Sequence, residues 1–300
     1  MLNFKFNKIY ILIVSILLCV HVKAQLVNSL PQAALFSWHS LALTGQQGII
    51  AALSYQNHLP SFGNAYISQS IGFENDIPNY NGAWGISLNH DALGSGISTN
   101  SQLKTTYCYD IKLRNKQQLA FGLRMGFVYS QLNATNALKE VDEYLPYQNT
   151  FNVLTEVGGA WISPRFGIAL SARSPDAFFS NKKDYYIQPS ILLFSYFLSN
   201  RRSERDPLYT QQILFDIHNQ GFACYTSSFE YHFVEIKSSI NYPFYTKSVH
   251  LGVGIGVNAN RFKFRYFYNH PLGELLTLPF DSHQIMLLIT FKNKQRVSRY

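Results

Sequence analysis

Catalysis by histidine would need an imidazole within hydrogen-bond reach of a nucleophile or a carboxylate, oriented by a third polar group. Beyond residue 24 the histidines are His39, His58, His90, His218, His232, His250, His270 and His283, scattered singly along the chain. His90-Asp91 is the nearest approach to a catalytic dyad, and the plainer reading is a rim pair that bonds loop groups. There is no GxSxG, HExxH or P-loop pattern. Cys108 and Cys224 stand alone, without CxxC or Cys/His metal spacing, so neither a disulfide framework nor a metal site is expected. The expectation is therefore no catalytic, cofactor-binding or metal-binding residue, and an outer-membrane hydrolase ranks third among the functions considered.

Two other groups of residues could act through charge alone. Lys104, Arg114, Arg124, Arg165, Arg173, Lys263 and Arg265 fall on the parity expected to face a barrel lumen. Left unpaired, such cations would bias a channel toward anions. Paired with Asp110, Glu156 or Asp216, they would be ordinary interior polarity. Asn200-Arg201-Arg202-Ser203-Glu204-Arg205-Asp206 is the one dense charge run. It lies in an over-long turn on the short-turn side, which makes Arg201, Arg202, Glu204, Arg205 and Asp206 candidates for docking a periplasmic partner.

These residues need a scaffold, and alternation supplies it. Leu103, Thr105, Tyr107, Tyr109, Ile111 and Leu113 share one parity, while Lys104, Thr106, Cys108, Asp110, Lys112 and Arg114 share the other. Side chains alternate across a strand, so one face is apolar and the other polar. Leu119 to Tyr129 repeat the pattern after Asn115-Lys116, a two-residue hairpin signal. Similar stripes run over 165–173, 249–258, 262–269 and 285–291. The spacing predicts about fourteen strands, near 48–58, 63–73, 82–91, 103–114, 117–130, 151–162, 165–173, 185–198, 210–218, 221–231, 234–242, 248–258, 261–269 and 283–292. Many exceed the roughly five or six residues usual in soluble sheets and reach the ~9–11 that cross a bilayer at a tilt. An even count, with long and short connections alternating, is the pattern of an outer-membrane barrel. Gly122, Gly126, Gly252, Gly254 and Gly256 fall on the inner parity and leave room for a lumen or a plug.

Composition agrees with this. Of the 300 residues 14% are charged, against roughly 25% in soluble domains, and 15% are aromatic, with 20 Tyr and 23 Phe. Lys5 and Lys8, the apolar stretch 9–20, and Val22-Lys23-Ala24 read as a secretory signal over 1–24. Its loss lowers the net charge from +8 to +5, with no basic block, so nucleic acid is not an expected partner. The fold class is an all-β, antiparallel transmembrane β-barrel of about 14 strands following a cleaved signal peptide. The expected organisation is a periplasmic lead-in over 25–47, the barrel over 48–292 and a tail over 293–300.

Several stretches resemble the PorP/SprF family of type IX secretion system proteins. They run in order along most of the mature chain: Leu35-Phe36-Ser37, Leu41-Ala42-Leu43-Thr44-Gly45, Gly85 to Gly94, Tyr107-Cys108-Tyr109, Leu119 to Gly126, Phe166 to Ser171, Gln188-Pro189-Ser190, and Ser282-His283-Gln284-Ile285-Met286-Leu287. The resemblance implies an outer-membrane barrel that supports export or surface attachment of client proteins such as adhesins. It also implies coupling to periplasmic secretion subunits and gliding, with outer-membrane lipid around the barrel and no cofactor. The alternative is a porin-like channel for small, anionic solutes.

Overall fold

A computed structural model describes residues 35–58, 66–93, 98–132, 148–174, 190–199, 206–217, 221–244, 249–272 and 281–291. The expected signal over 1–24 and tail over 293–300 lie outside these residues. Fourteen antiparallel strands form one closed barrel. They are β1 (Ile49–His58), β2 (Tyr66–Ile77), β3 (Gly82–Leu93), β4 (Ser98–Lys112), β5 (Gln118–Leu132), β6 (Gln148–Ile162) and β7 (Phe166–Arg173). The second half comprises β8 (Ser190–Leu198), β9 (Leu208–Ile217), β10 (Phe222–Tyr231), β11 (Val234–Pro243), β12 (Val249–Ala259), β13 (Phe262–Leu272) and β14 (Ser282–Phe291). Each strand pairs with its neighbours in sequence. β1 meets β14 from Ile49↔Phe291 to His58↔Ser282, so no edge is left unpaired.

The alternation decides which side each residue faces. On β4, Lys104, Thr106, Cys108 and Asp110 are buried while Leu103, Tyr107, Tyr109 and Ile111 are exposed. On β12, Leu251, Val253, Ile255 and Val257 are exposed. The outer face thus carries the large apolar side chains. No described helix is long and apolar enough to cross a membrane. Val253, 60% exposed near the middle of β12, offers a direct test. Val253→Arg should lower folding stability in lipid vesicles by about 2–4 kcal/mol; urea titration reads the loss, and unchanged stability would mean this face does not meet lipid.

One end of the barrel has tight turns at 78–81, 113–117, 163–165, 232–233 and 260–261, with 199–207 the long exception. Several are closed by residues at positive φ: Asn81, Asn115, Lys116, His232 and Asn260. Asparagine tolerates this left-handed region better than most side chains do. Arg114 and Arg165, expected in the lumen, are exposed in these turns. Parity was extended past the end of the strand, where the backbone leaves the pleat and alternation stops.

The interior is occupied. Residues 35–48, expected as part of a periplasmic lead-in, turn back between the walls before entering β1. They form α1 (Phe36–His39) and a 3₁₀ turn at Leu41–Leu43, and Leu35, Leu41, Ala42, Leu43 and Thr44 are each at most 1% exposed. This stretch is apolar without alternation, so it cannot join the pleated wall, yet it must still bury its leucines.

Candidate functional site: a plugged lumen

The plug is seated against small residues of the wall. Ala42 and Leu43 join a buried cluster with Ala83, Cys108, Ala120, Ala160 and Ala169, which Phe194 and Tyr196 extend. Leu35 packs with Ile50, Ala52, Met286 and Leu288. A Cβ on Gly122 would come within 2.6 Å of Leu41. The room left by Gly122 is thus filled by the plug, and that at Gly252 and Gly254 by the Phe267 ring.

Polar contacts hold the plug in register. The Ser37 hydroxyl and the Gly45 N–H both donate to the Glu74 carboxylate, the latter at 2.8 Å. Arg124 donates from Nη2 to the Ser37 carbonyl at 2.5 Å, from Nη1 to Glu156 at 2.7 Å and from Nε to Thr106 at 2.8 Å. Ser40 and Ser171 share a hydrogen bond of 2.8 Å, and the Cys108 thiol donates to the Ala42 carbonyl at 3.3 Å. Gly45 has φ +75°, and a Cβ there would lie 2.3 Å from the Ala83 Cβ. Only glycine satisfies both the backbone and the space at this position.

Four of the lumen cations, Arg124, Arg173, Lys263 and Arg265, are paired with glutamates. Arg173 Nε donates to Glu156 at 2.9 Å, so Glu156 is shared by Arg124 and Arg173. Around the wall Arg265 holds Glu235 at 2.8 Å, and Lys263 holds Glu230 at 2.8 Å. Lys104 is buried in the wall and faces the lumen. Of the anticipated partners, Glu156 takes two arginines, while Asp110 lies 3.4 Å from the Gln46 amide. Glu74, Glu230 and Glu235 were not singled out from sequence, although their strand parity was the available signal.

His90 and Asp91 do not form a dyad. As consecutive strand residues they point to opposite faces. His90 Nδ1 is bonded to Ser101 Oγ at 2.9 Å, while buried Asp91 accepts from Ser68 at 2.5 Å on the inside. The docking candidates Arg201, Arg202, Glu204 and Arg205 lie outside the described residues; Asp206 is partly exposed just before β9.

Between the plug and the far end of the lumen is a cavity of about 110 Å³, walled by Trp38 and His39 below and by Gln56, Lys104, Arg173 and Asp216 among others.

The model of the type IX secretion system membrane protein family PorP/SprF matches residues 40–289. That span covers the plug from Ser40 onward and nearly all of the strands. The chain belongs to the PorP/SprF family. As a PorP/SprF protein it is an outer-membrane β-barrel of the type IX secretion system and interacts with components of that machinery. The tight-turn end, where the plug enters, is by the rule for such barrels periplasmic.

No curated protein matches the chain. Among solved structures, the Acinetobacter baumannii outer membrane protein Omp33 is 7% identical with a TM-score of 0.47, covering 81% of this chain and 96% of its own. A triple mutant of the Rhodopseudomonas blastica porin is 8% identical at 0.37, covering 81% and 98%. A second variant of that porin is 7% identical at 0.39, with the same coverage. Likeness this distant carries no function across. Ser37 and Gly45, in two of the stretches that resemble the family, are the two described plug residues whose hydrogen bonds go to Glu74.

Proposed function

We propose that this PorP/SprF protein is a plugged, non-conducting and non-enzymatic platform that supports export or surface attachment of a client protein such as an adhesin. The single observation behind this reading is the lumen: its own residues 35–48 fill it. Pairing of Arg124, Arg173, Lys263 and Arg265 with glutamates removes the unbalanced charge that an anion-selective porin would use. Opposite orientation of His90 and Asp91 leaves the hydrolase reading without its dyad.

A platform must touch the rest of the machine on the periplasmic side. The run 201–206 is the part of the chain best suited to that, because a barrel gains nothing for insertion from a long charged periplasmic turn. A strain lacking the gene should lose its secreted or surface-bound client with outer-membrane permeability unchanged. In the intact strain, deleting 201–206 should abolish co-purification of periplasmic subunits while heat-modifiable migration of the barrel persists. Retained co-purification removes the docking role from this turn, and altered permeability with normal secretion removes the platform reading.

A further inference from the structure

We propose that the outer wall of β4 to β7 binds an anionic phospholipid at the tight-turn end of the barrel, through Arg114, Lys116 and Arg165. The exposed lysines and arginines among the described residues are Lys112, Arg114, Lys116, Arg165 and Arg261, and all of them lie at this end. They differ from the lumen arginines, which hold glutamates. No side chain of this exposed set makes an ion pair or hydrogen bond with a described residue. Asp206 is the only described carboxylate in a turn of the same end. This end therefore presents positive charge that the described protein does not balance.

Register brings three of these cations together. The pairs Lys112↔Gln118, Gln118↔Ile162 and Ile162↔Gly167 lie on one level. The β4–β5 turn, with Arg114 and Lys116, and the β6–β7 turn, with Arg165, thus cap neighbouring hairpins at the same height. Two strand spacings separate the turns, about 10 Å, a span that long side chains close around one phosphate. In the row beneath, Ile111, Leu119, Trp161 and Ile168 stand side by side on the outward face, and Trp161 packs on Phe166 at 5.9 Å. In the row after that, Phe121 and Leu170 are exposed on either side of Gly159. A Cβ on Gly159 would meet nothing nearer than 3.7 Å, so the wall carries a shallow notch along β6, topped by Trp161 and the cations. An anionic phospholipid fits both parts, with its phosphate at the cations and an acyl chain along the notch. An acidic protein segment would satisfy the cations alone. These turns are also short, and apolar side chains begin at the first outward position beyond them, which puts the cations at headgroup depth. A zwitterionic lipid offers the same phosphate but brings its own cation, which clustered positive side chains disfavour.

The test uses the full mature chain in phosphatidylcholine vesicles, with Trp38→Phe and Trp84→Phe leaving Trp161 as the single indole. A small share of the lipid carries bromine on its acyl chains, which quenches an indole it touches. Brominated phosphatidylglycerol should quench Trp161 more than brominated phosphatidylcholine does, with a preference of about tenfold to a hundredfold for three surface cations. Arg114→Gln, Lys116→Gln and Arg165→Gln should each lower that preference by up to about fivefold, and the triple variant should abolish it. Arg165→Lys keeps the charge and should keep most of the preference. Equal quenching by the two lipids would mean that these cations are merely solvated, and a preference untouched in the triple variant would put the lipid elsewhere. Loss of the preference in inorganic phosphate at matched ionic strength would mean a free-anion site. Loss of periplasmic co-purification in the triple variant, with no lipid preference in the parent, would assign the surface to an acidic protein. Each of these outcomes overturns the proposal. Should the triple variant give no compact band, the two lipids on the parent chain and the single variants decide. The proposal rests on the outer-membrane location of the barrel. All these variants leave 201–206 intact, so its failure is separable from failure of the platform reading.

Discussion

Removing residues 25–47 while keeping the signal should turn a silent barrel into a conducting one. The fourteen-strand ladder, including the β1–β14 seam, makes no backbone pairing with the plug, so the wall should still assemble and migrate as a heat-modifiable band. What remains along the plug's seat is an arc of small residues on β3 to β7, among them Ala83, Cys108, Ala120, Gly122, Ala160 and Ala169, and vacating it should open an aqueous path. In planar bilayers the parent chain should give no steps and the deletion variant should give steady ones. A point substitution should do the same more gently. Gly45→Val forces a β-branched side chain into the left-handed region, at about 1–2 kcal/mol, and into overlap with Ala83, at about 1–3 kcal/mol more. It also disturbs the Gly45 N–H bond to Glu74, so intermittent opening is expected. A folded deletion variant that stays silent would show that the plug is not what closes the lumen.

The second large effect is expected at Arg124. Its guanidinium joins Thr106 and Glu156 of the wall to the Ser37 carbonyl of the plug, with Arg124 at 6% and Glu156 at 2% exposure. Arg124→Met removes one of the two ion-pair partners of a buried carboxylate and leaves the Ser37 carbonyl without its donor. Breaking one side of a buried pair costs about 3–5 kcal/mol, a large share of the ~5–15 kcal/mol available to a typical folded chain. Urea unfolding in lipid vesicles, followed by tryptophan fluorescence, measures the loss; in a background with Trp84→Phe and Trp161→Phe, Trp38 of the plug reports its release alone. Arg124→Met with Glu156→Gln should recover part of the stability, because no uncompensated carboxylate then remains, while the plug stays loosened. A single variant as stable as the parent would remove Arg124 from its role as the clamp.

The fourteen strands were legible because alternation is a local property. Leu103 to Arg114 or Val249 to Asn258 announce two faces without reference to any other part of the chain, and the structure places their parities as the sequence implies. Arg114 and Arg165 show where the rule stops, one or two residues past a strand end, where the pleat gives way to a turn. His90-Asp91 illustrates the converse: adjacency in sequence suggested a pair, and the pleat itself sends the two side chains to opposite sides of the wall.

The candidate site was only half visible. Lumen parity singled out Lys104, Arg124, Arg173, Lys263 and Arg265, but not their partners. Glu156 meets Arg124 because β5 and β6 pair in a register that sets those two residues side by side, and Arg173 comes to Glu156 in the same way from β7. The plug was hidden for a different reason. Leu35 to Thr44 has neither the alternation of a strand nor the length of a stable helix, and short helical turns hold only through tertiary contacts.

The sequence alone determined the strand inventory and the inner and outer faces, since each depends on residues a few positions apart. Only the closed barrel decided that Ser37 meets Glu74, that Gly45 touches Ala83 and that Gln56, Trp38 and Asp216 share a cavity. Those encounters depend on the circumference and register of fourteen strands, quantities no local stretch of chain contains.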